Sequence, residues 1–199
     1  MTKGYTYSRS GNPTVRALEL KLADLEEGVD CACFGTGMAA VQGVMLAFLN
    51  AGDHAVISDV AYGGTYRLCT KVLNRFGIEF TFADGSNPDS VAAAVRDNTS
   101  LFLTETPANP TMKCSDIAAI SEIASAANAV HAVDNTFLTP YFQRPLELGD
   151  SSDMFIVVRT GLNEGDEVVV DPVANIEEAR IEASKTLDET QHERDKSVF

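Results

Sequence analysis

Between residues 12 and 134, apolar runs of strand length alternate with stretches whose apolar positions recur at helical spacing. That alternation predicts an α/β fold, a mainly parallel sheet with crossover helices. Asn12 followed by Pro13 marks a helix start, a capping side chain ahead of a ring already set at the helical φ. Val15, Leu18, Leu22 and Leu25 then follow on one face. A short strand is expected at 29–34 (VDCACF), then the turn Gly35-Thr36-Gly37 and an apolar helix from Met38 to about Leu49. Further strands are expected at 54–58 (HAVIS), 78–83 (IEFTFA), 100–105 (SLFLTE) and 129–133 (AVHAV), with helices near 64–75, 88–96 and 115–127 between them. Each strand is nearly all apolar, as it must be when helices cover both faces of a sheet. Beyond residue 150 the pattern changes to a strand at 154–158, a glycine-containing turn, a strand at 167–170 and a polar helix from about Ile176. The last residues lack apolar periodicity and read as disorder or a solvated helix.

Charge sharpens that boundary. The chain of 199 residues carries a net charge of −14. Residues 151–199 hold twelve acidic and five basic side chains, so half of the net charge sits in the last quarter. Two regions follow: 1–150, an α/β domain, and 151–199, an acidic tail with a short β-hairpin. The acidic balance argues against a nucleic-acid partner or an anionic membrane surface, both of which need a basic footprint. Residues 31–52 carry no charge, but Gly35, Gly37, Gly43, Gly52 and Gln42 interrupt them, so strand, turn and helix fit better than a membrane span. Cys31, Cys33, Cys69 and Cys114 show no zinc-ligand spacing and read as reduced thiols. With no apolar leader at the start of the sequence, a cytoplasmic location is expected.

Candidate chemistry gathers at strand ends. Gly35-Thr36-Gly37 precedes a helix, where backbone amides hold a phosphate or simply make a tight turn. Tyr62, before Gly63 and Gly64, lies where ligands bind in open α/β sheets, or packs as a rim aromatic. Asp134 ends an apolar strand and needs a partner, either a cationic ligand nitrogen or a turn amide. Glu105 ends a strand in the same way. His54 and His131, in apolar strands without carboxylate or cysteine neighbours at metal spacing, read as core or rim histidines rather than ligands.

The ordered segments YSRSGNPTVRALE (7–19), FGTGMAA (34–40), YGGTYR (62–67), ETPANP (105–110), DIAAI (116–120) and VDNTFLTPYFQRPLELG (133–149) resemble the Cys/Met-metabolism family of pyridoxal-phosphate enzymes. That family includes cystathionine γ-synthase, cystathionine lyases, methionine γ-lyase and O-acylhomoserine sulfhydrylases. The resemblance implies part of a fold-type-I large domain, a three-layer α/β/α sandwich, and pyridoxal 5′-phosphate as cofactor. It implies that Gly37 and Met38 give amides to the cofactor phosphate, Tyr62 stacks on the pyridine ring and Asp134 pairs with the pyridine nitrogen. Asn109 matches a position near cofactor and substrate. Tyr7 and Arg9 match a pair that reaches the phosphate from a neighbouring subunit, which implies a homo-oligomer. The implied chemistry is β- or γ-elimination or γ-replacement on sulfur-containing amino acids.

The resemblance also marks departures. The family's Schiff-base lysine stands in a Ser-x-Thr-Lys stretch roughly 25 residues after the aspartate, and it also serves as the base. Counting from Asp134 arrives at Arg159, whose guanidinium stays protonated and cannot fill either role. Lys185 and Lys196 are the lysines after Asp134, and neither stands in that stretch. Family members are about twice as long, with a smaller C-terminal domain that binds the substrate carboxylate. The segment VVRTGLNEGDEVVVDP instead resembles the membrane-proximal end of periplasmic adaptor (membrane fusion) proteins. The expectation is a transsulfuration-type sequence without turnover of its own. The alternative is a non-catalytic fragment or fusion artefact that binds the cofactor at most non-covalently.

Overall fold

The computed structural model describes residues 4–145 together with the backbone strand Met154–Val157. The described residues belong to the first of two compact units, Met1–Leu162. The second unit, 163–199, lies outside them, as do the strand expected at 167–170 and the helix from Ile176.

The apolar runs become five strands: β1 (His54–Ser58), β2 (Glu79–Ala83), β3 (Thr99–Glu105), β4 (Val130–Asp134) and β5 (Met154–Val157). All pairings are parallel and the order is β2-β1-β3-β4-β5. Alternation along each strand divides the core in two. Ala55, Ile57, Leu101, Leu103 and Ala132 face one side. There they meet Val41, Met45 and Leu49 from helix α2 (Gly37–Phe48) and its C-cap, and Leu68, Cys69 and Leu73 from a second helical run. Val56, Ala83 and Phe102 face the other side. Their partners are Val91 of α4 (Pro88–Ala93) and Ile120 and Ala124 of α5 (Ile117–Ala126). Each buried Leu, Ile, Met or Phe contributes roughly 1.5–3 kcal/mol, so the two faces together hold the sheet.

Both strand histidines are buried and tied to hydroxyls. His54 bonds Thr99 Oγ1 and Thr81 Oγ1, each at 2.8 Å, joining β1 to both of its neighbours. His131 bonds Thr104 Oγ1 at 2.9 Å and Ser121 Oγ at 2.8 Å, joining strand to helix. Burial pulls the His131 pKa down to about 4, so the ring stays neutral.

The Asn-Pro start is realised in α1 (Pro13–Leu25), where Asn12 Oδ1 accepts from the amides of Thr14 at 2.9 Å and Val15 at 3.3 Å. The segment expected as a strand at 29–34 is irregular instead. Its amides are taken by carboxylates: Cys31 N donates to Asp30 Oδ1 at 2.8 Å and Cys33 N to Glu19 Oε1 at 3.1 Å. Arg16 of α1 in turn reaches Asp30 at 2.7 Å. An apolar run becomes a strand only with a neighbouring strand to saturate its backbone, and here Glu19 of α1 and the segment's own Asp30 supply the acceptors. The helix expected at 64–75 is also less regular: α3 (Gly63–Arg67) passes into a π-type turn, Leu68–Val72, and a 3-10 turn, Leu73–Phe76. Among the described residues no helix is long and apolar enough to cross a membrane.

Candidate functional site

Parallel strands bring their carboxyl ends to one rim, and β3 and β4 finish there in register, Glu105 beside Asp134. The N-termini of α2 and α3 open onto the same rim. The resulting cleft is lined by Gly37, Met38 and Val41 of α2, by Tyr62 and Thr65, and by Glu105, Asn109, Asp134, Thr136 and Phe137.

At one end lies the first turn of α2. Thr36 caps it, its Oγ1 accepting from Ala39 N at 3.1 Å and its carbonyl from Ala40 N at 3.1 Å. The amides of Gly37 and Met38 are left as the first-turn donors without an intrahelical partner. That turn carries no acidic residue, so an anion meets only the positive end of the helix.

Tyr62 forms the wall. Its backbone N donates to Glu105 Oε2 at 2.5 Å, and the residue, 43% exposed, lays its ring over Gly64. A Cβ at position 64 would overlap that ring and approach Met38 Sδ to 2.7 Å, so glycine there keeps the tyrosine close to α2.

At the far end, Asp134 Oδ1 accepts from Thr136 N at 3.1 Å and from the Thr136 hydroxyl. Oδ2 is uncommitted among the described residues and available to a cation. Asn135, the next residue, is buried and donates to Gln143 O at 2.7 Å. Gln143 Nε2 returns a bond to Asn135 Oδ1 at 2.9 Å and another to Thr106 O at 3.2 Å. These bonds tie the turn after Asp134 to the loop that carries Asn109.

Six residues singled out from sequence thus converge: Gly37, Met38, Tyr62, Glu105, Asn109 and Asp134. Tyr7 and Arg9 do not line this cleft. Both are exposed near the start of the chain, with the Arg9 guanidinium 4.9 Å over the Tyr7 ring. Arg159 and Lys185 lie outside the described residues. Thr65, Thr136 and Phe137 were not foreseen. Thr65 follows Tyr62 by three residues at the start of a helix and Thr136 follows Asp134 by two, spacings that turn and helix geometry make into neighbours.

Among the described residues no cluster of three or more metal-ligating side chains exists. The donor set instead suits a planar heteroaromatic group with an anion at one end and a protonated ring nitrogen at the other. A parallel α/β sheet with such a cleft at its carboxyl rim defines the class as a nucleotide-like or vitamin-phosphate cofactor protein. Comparison narrows it. The sequence profile described as Cys/Met metabolism PLP-dependent enzyme matches residues 1–186, and the chain belongs to that family.

Cystathionine gamma-lyase of Bacillus subtilis (strain 168) is 52% identical over 146 residues, 73% of this chain and 38% of that protein. L-methionine gamma-lyase of Treponema denticola is 46% identical over 149 residues, 74% of this chain and 37% of the other. Among solved structures, metB from Corynebacterium glutamicum superposes with a TM-score of 0.72 at 46% identity, covering 74% of this chain and 38% of that one. Cystathionine gamma-lyase from Lactobacillus plantarum complexed with L-serine gives 0.71 at 42%, covering 74% and 39%. The chain therefore spans less than two-fifths of the length of the curated relatives it matches. The fold is part of a fold-type-I α/β domain, and the family's cofactor is pyridoxal 5′-phosphate.

Proposed function

We propose that this chain holds pyridoxal phosphate non-covalently, as the cofactor-binding part of a transsulfuration-type enzyme that acts on a sulfur-containing amino acid. The convergence of Gly37, Met38, Tyr62, Asn109 and Asp134 on one cleft carries this reading. In it, the Gly37 and Met38 amides bind the phosphate, Tyr62 fixes the ring plane, and Asp134 Oδ2 keeps a proton on the ring nitrogen. When bound, the cofactor supplies an electron-withdrawing ring for carbon–sulfur bond cleavage. Thr136 fixes the Asp134 carboxylate, so the residue meets the ring with one oxygen already occupied. Asn109 orients the substrate end of the cleft. Tyr7 and Arg9 serve the cleft of a second copy, which makes the working unit a homo-oligomer, and the compartment is the cytoplasm.

The reading includes no turnover by this chain. Arg159 stands where a lysine would be both anchor and base, and a guanidinium does not release its proton. Met154–Val157 belongs to the sheet as β5, so in this reading the separate acidic tail, with its own likeness to periplasmic adaptor proteins, is the part of 151–199 that follows β5.

Titrating purified full-length chain with pyridoxal phosphate, followed by absorbance, should give saturable binding reversed by dialysis. Borohydride reduction and peptide mapping should find no adduct at a single lysine, and cystathionine should release no thiol or ammonia. An adduct confined to Lys185 together with turnover would overturn the inactive reading. Absence of saturable binding would overturn the cofactor reading. Re-reading the coding DNA across codons 145–165 tests the junction: a frame that continues into Ser-x-Thr-Lys makes the tail an artefact.

A further inference from the structure

Two loops bring Tyr62 and Asn109 to the cleft, and one side chain joins them on the outside. Asn109 lies in the loop after β3, which doubles back so that Ala108 N donates to Lys113 O at 3.0 Å and Met112 N to Ala108 O at 2.7 Å. The backbone of Lys113 is therefore fixed against that of Ala108, one residue from Asn109. Its ammonium crosses to the loop after β1, lying 3.2 Å from Asp59 Oδ1 and 3.1 Å from Oδ2. It also lies 2.7 Å from Asp84 Oδ1, just beyond β2. Asp59 precedes Tyr62 by three residues, and its own amide is anchored to Ala83 O at 2.9 Å. Asp84 is held in place by Ser86, whose amide and hydroxyl donate to Oδ1 at 2.9 and 2.6 Å. Among the described residues, Lys113 makes the one salt bridge between the Asn109 loop and the Tyr62 loop.

We propose that Lys113 is a positioning residue for the cofactor cleft, an ionic latch that holds the Asn109 and Tyr62 loops in one mutual geometry. The proposal rests on the cofactor reading above and adds a residue to it. The three donors of an ammonium match the two Asp59 oxygens and the Asp84 oxygen, so one group sets both spacings. Glu105 secures Tyr62 from inside the cleft through its backbone, whereas Lys113 secures the approach to Tyr62 from outside. Ordering two loops before the ligand arrives removes a cost that binding would otherwise bear. Lys113 does not line the cleft, so its influence runs through Tyr62 and Asn109.

The test compares wild type, Lys113→Met, Lys113→Arg and Asp59→Asn as full-length chains. The readouts are pyridoxal-phosphate affinity by fluorescence titration, induced circular dichroism of the bound cofactor, and thermal midpoint without cofactor. Lys113→Met and Asp59→Asn should each bind about fivefold more weakly, the upper range for a networked surface pair, with a changed dichroic band. Lys113→Arg should restore both affinity and band, because a guanidinium also bridges two carboxylates. If Lys113→Met does not fold, Asp59→Asn decides. Unchanged affinity and dichroism in a folded variant, with only the midpoint lowered, would overturn the latch and leave the cofactor reading standing. Failure of wild type to bind would overturn both.

Discussion

Glu26 and His131 sit in dry surroundings and pull stability in opposite directions as pH changes. Glu26, just after α1, is 4% exposed, with both carboxyl oxygens buried. Burial pushes its pKa from 4.5 up to about 7, with Asn135 and Arg144 pulling it back. The folded chain therefore binds the extra proton between those values, so this contribution is full below pH 4.5 and lost as pH rises through 7. His131 falls from 6.5 to about 4 through burial, so its contribution is present above pH 6.5 and lost as pH falls toward 4. His54 is shifted in the same direction, first by burial and then by Arg96. Between pH 4.5 and 6.5 the slopes oppose. Glu26→Gln should unmask the histidine slope: thermal midpoints of the variant should rise with pH across that window more steeply than those of wild type. Above pH 7 the variant should become the more stable of the two. A variant whose profile parallels wild type would mean that Glu26 is ionised throughout. A second residue-level expectation concerns Gly64. Gly64→Ala should drive Tyr62 away from Met38 and weaken pyridoxal-phosphate binding about tenfold, the cost of overpacking a close contact, as measured by titration.

At the scale of elements, two helix caps make a matched pair. Asn12 caps α1, away from the cleft, and Thr36 caps α2, whose first turn lines it. Replacing either by alanine should lower stability by about 1 kcal/mol in denaturant unfolding. Thr36→Ala alone should also lower cofactor affinity, because the Gly37 and Met38 amides lose the turn that aims them. Equal affinities in the two variants would separate the α2 terminus from the ligand. The Asn12 cap was legible because Asn-Pro is a local signal, whereas Thr36 was read only as part of the Gly35-Thr36-Gly37 turn. Legible too were the strands from β1 to β4, whose apolar runs predict them within a residue at each end. Residues 29–34 were not legible, because a strand depends on a neighbour that periodicity cannot name, and here Glu19 and Asp30 took its amides. The irregular turns after α3 leave no mark that separates LCTKV from ordinary helix. In the cleft, Tyr62 and Asp134 stood out as polar groups at strand ends, and the family motifs drew attention to Gly37, Met38 and Asn109. Phe137 and Lys113 act through contacts that only folding creates, and nothing in their immediate sequence distinguishes them.

For the molecule as a whole, a net charge of −14 works against self-association while large exposed apolar side chains favour it. Tyr141 and Phe142, 71% and 74% exposed, stack edge to face, and Tyr5, Leu20, Tyr66 and Phe76 are at least half exposed as well. Surfaces of this kind mark contact sites or aggregation liabilities. Sedimentation should therefore show association that increases with protein concentration and with salt, since salt screens the repulsion and leaves apolar contact intact. A clean monomer at every salt concentration would contradict this. The strand order has a further consequence, for biosynthesis. The interior strand β1 is the first of the five to leave the ribosome, yet both of its neighbours come later: Glu79–Ala83 on one side and Thr99–Glu105 on the other. A fully buried apolar strand must wait for some 45 further residues before its second edge is covered. Throughout that interval it is a natural target for chaperones, and the slow pairing of sequence-distant parallel strands prolongs the exposure.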